Sequence, residues 1–188
     1  MAFLECSNLK NVILPSNITN IGSGMFSGCS SLTDITIPNS VTSIGGNAFY
    51  GCSNLTDITI PNSVTNIGGK AFEGCTSLPV ENNIRYADTW AVGVTDKTLT
   101  RYTLRENTIG LIGAFSDCAS LVRITLPTCL TYIGDYAFAS CSTLKSLVLP
   151  EGVINIGNHA FDNCTNLTNI NIPSGVTNIG NYAFFNCI

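Results

Sequence analysis

The sequence predicts a parallel β-solenoid, a coil in which each turn of chain stacks on the one before. Two observations carry that expectation. Eight cysteines, Cys6, Cys29, Cys52, Cys75, Cys118, Cys141, Cys164 and Cys187, recur every 23 residues apart from a single gap of 43. A Phe precedes each by three residues (Phe3, Phe26, Phe49, Phe72, Phe115, Phe138, Phe161, Phe184), and a Leu follows all but the last by three. A fixed period of this length marks units that cannot bury an apolar face alone and do so by stacking.

One clean unit runs from Leu32 to Asn54. Leu32, Ile35 and Ile37 alternate as an inward-facing strand. Pro38 removes a backbone donor and ends the ladder. Val41 and Ile44 return the chain across the far side, and Gly45 permits a sharp bend. Ala48, Phe49 and Cys52 turn back into the core, and Ser53-Asn54 begin the next rung. Identical positions superpose at about 4.8 Å per rung, the spacing of hydrogen-bonded strands.

The Leu-x-x-Ile-x-Ile strand in units of 23 is that of a leucine-rich repeat. The tail Val-Thr-x-Ile-Gly-x-x-Ala-Phe-x-x-Cys-x-x-Leu resembles the BspA-like class, surface proteins of bacteria and of some protists. The resemblance covers nearly the whole chain and recurs eight times. It implies a leucine-rich-repeat solenoid of about eight rungs. A parallel sheet would form the concave side, and short strands or helical turns the convex side. It also implies a cell-surface or secreted adhesin that attaches to a host or extracellular-matrix protein or glycan.

The expected organisation is one solenoid over residues 1–188 with an insertion at 79–104, where the period fails. That segment holds the only Trp, Trp90, together with Tyr86, Tyr102, Arg85, Lys97 and Arg101. It reads as a β-hairpin, with a strand near Ile84–Val94, a turn at 95–98 and a strand near Leu99–Leu104. Aromatics with Arg suit a binding hot spot, which makes Arg85, Tyr86, Trp90, Arg101 and Tyr102 candidates. The alternative is that Trp90 and Tyr86 pack the hairpin onto the solenoid, because a hairpin needs an apolar face.

Outward residues of the strands form a second candidate surface. They are Asn11 and Ile13, Asp34 and Thr36, Asp57 and Thr59, Arg123 and Thr125, Ser146 and Val148, and Asn169 and Asn171. Such a face either binds a partner through hydrogen bonds or is merely solvated. Asp34 and Asp57 share a column, but two carboxylates alone are poor evidence for a metal, and none is expected. Tyr136, His159 and Tyr182 form an aromatic column that either grips a sugar or stacks on itself.

The cysteine column points into the core, where a thiol behaves as a small hydrophobe, so free buried thiols are expected. Cys129 breaks the period and sits after Pro127. There is no Cys-x-x-Cys for zinc, no P-loop and no metalloprotease motif. The single His, His159, belongs to a repeat column and makes no triad with Asn158 or Asp162. No enzyme and no cofactor are expected. A net charge of −4 gives no footprint for nucleic acid, and no run approaches the ~20 apolar residues of a membrane span. The start, Met1-Ala2-Phe3-Leu4-Glu5-Cys6, lacks the basic and apolar regions of a signal peptide. Both termini fall within a unit without a polar cap, so the chain reads as a piece of a longer protein that self-associates end to end when its ends are unshielded. Competing readings are a passive spacer or stalk, and the recognition arm of a larger enzyme.

Overall fold

The computed structural model describes residues 2–187. Met1, where the leader reading begins, and Ile188, where the last unit stops, lie outside the described residues. The fold consists of two compact units. The first is the chain up to Pro79 with Tyr86–Asp88, the second is Val80–Arg85 with the chain from Thr89 onward. Each is a parallel β-solenoid, and the described residues contain no helix.

In the first unit the strands are β1 (Asn20–Ile21), β2 (Asp34–Thr36), β3 (Ser43–Ile44), β4 (Asp57–Thr59) and β5 (Asn66–Ile67). β1, β3 and β5 form one parallel sheet and β2 and β4 another. The alternation predicted for β2 and β4 holds: Ile35 and Ile58 are buried between exposed neighbours. After each of these strands a proline closes a tight turn, in which Val41 N–H donates to Pro38 C=O at 3.0 Å and Val64 to Pro61 at 2.9 Å. Inside, Phe3, Phe26, Phe49 and Phe72 stack nearly parallel with centroids 5.2, 5.4 and 5.3 Å apart. Fully burying each such ring contributes about 1.5–3 kcal/mol.

The composition, poor in charge and rich in Thr, Ser and Asn, has a local cause. Thr56 Oγ1 donates to Thr33 C=O at 3.1 Å and Ser63 Oγ to Val41 C=O at 2.7 Å. Short hydroxyl side chains thus satisfy the backbone of the preceding rung, a task a long charged side chain would not perform. The Ile-Gly bend is explained differently from expectation. A Cβ on Gly45 would lie 2.5 Å from the backbone nitrogen of Ser23, and one on Gly68 equally close to that of Gly46. These glycines permit close approach of adjacent rungs. Left-handed backbone falls instead two residues later, at Asn47 and Lys70.

The second unit begins with β6 (Val80–Glu81), the first two residues of β7 (Ile84–Ala87), whose Tyr86 and Ala87 belong to the first unit, and β8 (Trp90–Val94). It continues with β9 (Arg101–Thr103), β10 (Gly110–Leu111), β11 (Arg123–Thr125), β12 (Tyr132–Ile133) and β13 (Ser146–Val148). It ends with β14 (Asn155–Ile156), β15 (Asn169–Asn171) and β16 (Asn178–Ile179). One sheet runs β16-β14-β12-β10-β8-β7-β6, and β11-β9 and β13-β15 form two others. Phe115, Phe138, Phe161 and Phe184 form a stacked column within this unit, at 5.4, 5.2 and 5.2 Å.

The segment 79–104 departs from the expected hairpin. A hairpin is present, but its strands are β6 and β7, antiparallel with Glu81 opposite Ile84. Its turn is Asn82-Asn83, with φ of 51° and 63°. Two consecutive positive φ values define the turn that matches strand twist, and Asn tolerates them. The expected partners, 84–94 and 99–104, do not pair. β8 is parallel to β10, with Trp90 opposite Gly110, and β9 is parallel to β11, with Arg101 opposite Arg123. Both are therefore strands of a solenoid rung that has lost its Phe-x-x-Cys turn. Tyr102 fills the vacated volume: its ring lies 5.1 Å from Phe115, tilted by 59°, and its hydroxyl donates to Asp96 C=O.

Candidate binding surface

In the first unit the exposed strand residues pair in register, Asp34 with Asp57 and Thr36 with Thr59. The two carboxylates thus stand side by side on adjacent strands, and Thr33 Oγ1 donates to Asp34 at 3.1 Å. The second unit presents Arg101 beside Arg123 and Thr103 beside Thr125, all exposed, with Tyr102 and Ile124 turned inward. On the following rungs Ser146 lies beside Asn169 and Val148 beside Asn171. The Asn171 side chain is committed to the backbone, accepting from Leu149 N–H at 2.8 Å and donating to Leu149 C=O at 3.2 Å.

The aromatic candidates of segment 79–104 face inward. Tyr86 and Trp90 are each 1 % exposed and Tyr102 is 3 % exposed. They pack the fold and present no surface to a partner, so the packing alternative describes them. Trp90 lies across Gly110 and stacks on Tyr132 with centroids 5.4 Å apart. Arg85 is half-buried, and Arg101 alone of the five is fully at the surface.

Sequence reasoning missed that Arg101 belongs to the strand face. The signal was present: Arg101-Tyr102-Thr103-Leu104 repeats the pattern of Arg123-Ile124-Thr125-Leu126. This rung has no cysteine, so the cysteine period does not reveal it.

Tyr136, His159 and Tyr182 stack face to face, at 4.9 Å and 2° and then at 5.1 Å and 16°. All three have φ between 53° and 56°, a conformation unusual for bulky residues. His159 Nδ1 also lies 2.8 Å from Asp162 Oδ2, a pairing not expected from the sequence. Because the rings cover one another's faces, the column acts first as a ladder between rungs.

The thiols are free, and Cys29, Cys52, Cys75, Cys118, Cys141 and Cys164 are buried, whereas Cys6 and Cys129 are exposed. Each buried Sγ whose bond is resolved donates to the Phe carbonyl of the preceding rung, as Cys52 does to Phe26 at 3.2 Å and Cys164 to Phe138 at 3.0 Å. Burial pushes the Cys29 thiol from 9.0 up to about 11, helped by neighbouring Cys52 and Cys6, and the Cys164 thiol up to about 12. Among the described residues no group of three or more His, Cys, Asp or Glu is arranged to hold a metal ion. None of them forms a helix long and apolar enough to cross a membrane.

Several solved structures resemble the chain. A leucine rich cell surface protein from Faecalibacterium prausnitzii is 32% identical, with 99% of this chain and 59% of that one covered and a TM-score of 0.49. A leucine-rich repeat protein from Bacteroides ovatus is 30% identical, with 100% and 55% covered and a TM-score of 0.48. A leucine rich repeat protein from T. pallidum is 32% identical over 90% of this chain and 72% of that one, with a TM-score of 0.44. The chain thus spans under two thirds of the length of the first two. A search of curated proteins gives no significant match. The BspA type leucine rich repeat region matches residues 1–91 and 97–188, in six copies. With that match over nearly the whole chain and a parallel solenoid built on its Phe and Cys columns, the chain belongs to the BspA-type leucine-rich-repeat family.

Proposed function

We propose that this chain is a non-catalytic binding module of a cell-surface or secreted protein. It engages a host or extracellular-matrix protein or glycan through the exposed strand faces of its units. One observation carries this reading. Inward positions repeat from rung to rung as Leu, Ile, Phe and Cys, whereas the first outward position varies: Asp34, Asp57, Arg101, Arg123, Ser146, Asn169. A rigid backbone that holds a varied polar row suits recognition, since side chains on a fixed scaffold bind without a large ordering cost. Membership of the BspA type supports a repeat-based binding or structural role.

The test is a binding screen of the purified chain against matrix proteins and glycans. It runs beside an Asp34→Ala, Asp57→Ala variant and a Thr125→Ala, Asn169→Ala variant. Saturable binding weakened in either variant supports the proposal. Binding to nothing, by protein that remains folded, favours a spacer that holds another domain away from the surface.

A further inference from the structure

We infer that the strand face of the second unit is selective for an acidic glycan, gripped by Arg101 and Arg123. This rests on the reading of the strand faces as binding surfaces and names the ligand class for one of them.

Arg101 and Arg123 are Cα partners in the β9–β11 pair, so their side chains leave the same face of adjacent strands about 4.8 Å apart. Like charges placed directly opposite one another destabilise a sheet. Two other cations of this unit are paired: Lys97 meets Asp117 at 3.4 Å and Arg105 meets Glu81 at 3.8 Å. Neither Arg101 nor Arg123 forms an ion pair among the described residues. Two uncompensated guanidinium groups, each with a planar fork of donors, match a sulfate or carboxylate bridging them.

The surroundings decide which anion carrier fits. Thr103 and Thr125 flank the pair, and Ser146 and Asn169 continue the Arg column on the next rungs. The outward positions of β9, β11, β13 and β15 hold one apolar side chain, Val148. An acidic peptide would need apolar or aromatic anchors to bind well, and this face offers almost none. A hydroxyl-rich chain bearing anionic groups finds both charge and hydrogen-bond partners.

The experiment uses the whole chain and isothermal titration with four probes: a heparin octasaccharide, a hyaluronan octasaccharide, neutral dextran and poly-L-glutamate. Heparin binding alone identifies sulfate as the anion, and binding of both acidic sugars identifies charge on either group. The Arg101→Gln, Arg123→Gln variant is expected to weaken binding about tenfold or more, and the double Lys variant to fall between. Affinity should drop as salt rises. Ser146→Arg, which extends the charged column, should tighten binding several-fold, and it reports on the site without removing either arginine. Failure to bind either acidic sugar, unchanged affinity in the Gln variant, or equal binding of poly-L-glutamate overturns the inference. If the acidic sugars fail while another ligand is lost on substituting Thr125 and Asn169, the anion selectivity falls and the strand-face reading stands. If no ligand binds at all, both fall.

Discussion

Gly110 shows how one residue can be fixed by a neighbour on another rung. It stands in register between Trp90 and Tyr132, and the Trp90 ring passes over it to reach Tyr132. A Cβ on Gly110 would lie 2.2 Å from the Trp90 ring. Gly110→Ala should therefore force Trp90 off its position and cost about 1–3 kcal/mol, as overpacking does. Urea denaturation measures the loss, and a Trp90→Leu background, which frees the space, should shrink it. The buried thiols make a separate prediction at this scale. The folded Cys29 and Cys164 values lie above the ordinary 9.0, at about 11 and about 12. The neutral thiol is the form the fold favours, so their contribution is fully present below pH 9 and is lost as pH rises through 11 to 12. Thermal melts under reductant should be flat from pH 7 to 8.5 and then decline. Replacing Cys29 and Cys164 with Ala should reduce that alkaline decline. At pH 8, iodoacetamide should label Cys6 and Cys129 well ahead of the six buried thiols, which mass spectrometry of tryptic peptides would reveal.

At the scale of elements, the shortened rung behind β8 and β9 is where sequence and structure part company. The strands of the regular rungs were legible, because Ile35, Ile58 and Ile124 repeat at one position between polar neighbours and Leu147 follows at the same position. The free, buried state of the cysteine column was legible for the same reason. The rung between Cys75 and Cys118 was not, since it lacks the Phe and Cys by which every other rung is recognised. Its Trp and Tyr then resemble a binding patch, although they are core substitutes. A local pattern cannot say whether an aromatic ring is displayed or fills a hole left by a missing neighbour, because that depends on residues of the next rungs, such as Phe115 against Tyr102 and Tyr132 against Trp90. Tyr102 tests the substitution directly. If it replaces the absent Phe, Tyr102→Ala should cost about 3–5 kcal/mol, as for a buried aromatic. Tyr102→Phe should cost about 0.5–1.5 kcal/mol, the worth of its hydrogen bond to Asp96. Equal and small losses in both variants would mean that the ring is not part of the core.

At the scale of the whole molecule, the energetics follow from repetition. Each rung contacts the rungs beside it, so stability is a sum of rung terms and nearest-neighbour interfaces. Within the second unit, Phe138 has a stacked ring on both sides, Phe115 and Phe161, and is fully buried. Phe184 stacks on Phe161 and is half-buried. Nearest-neighbour coupling then requires unequal outcomes from the same substitution. Phe138→Ala loses two interfaces and opens a cavity that rigid flanking rungs cannot close, and is expected to cost about 3–5 kcal/mol. Phe184→Ala loses one interface, leaves a site that water can reach, and should cost less than half as much. Urea denaturation of the two variants measures both losses. The difference matters for function as well, since a row of outward side chains is held in register only while the ladder beneath it is continuous. Phe138 underlies the rungs that carry Arg123 and Ser146, so Phe138→Ala should also raise amide exchange at β11 and β13. Phe184→Ala should leave exchange at those strands unchanged. Equal stability losses from the two variants would show that the rungs do not couple through the ring column, and would remove the basis for treating the strand face as a rigid surface.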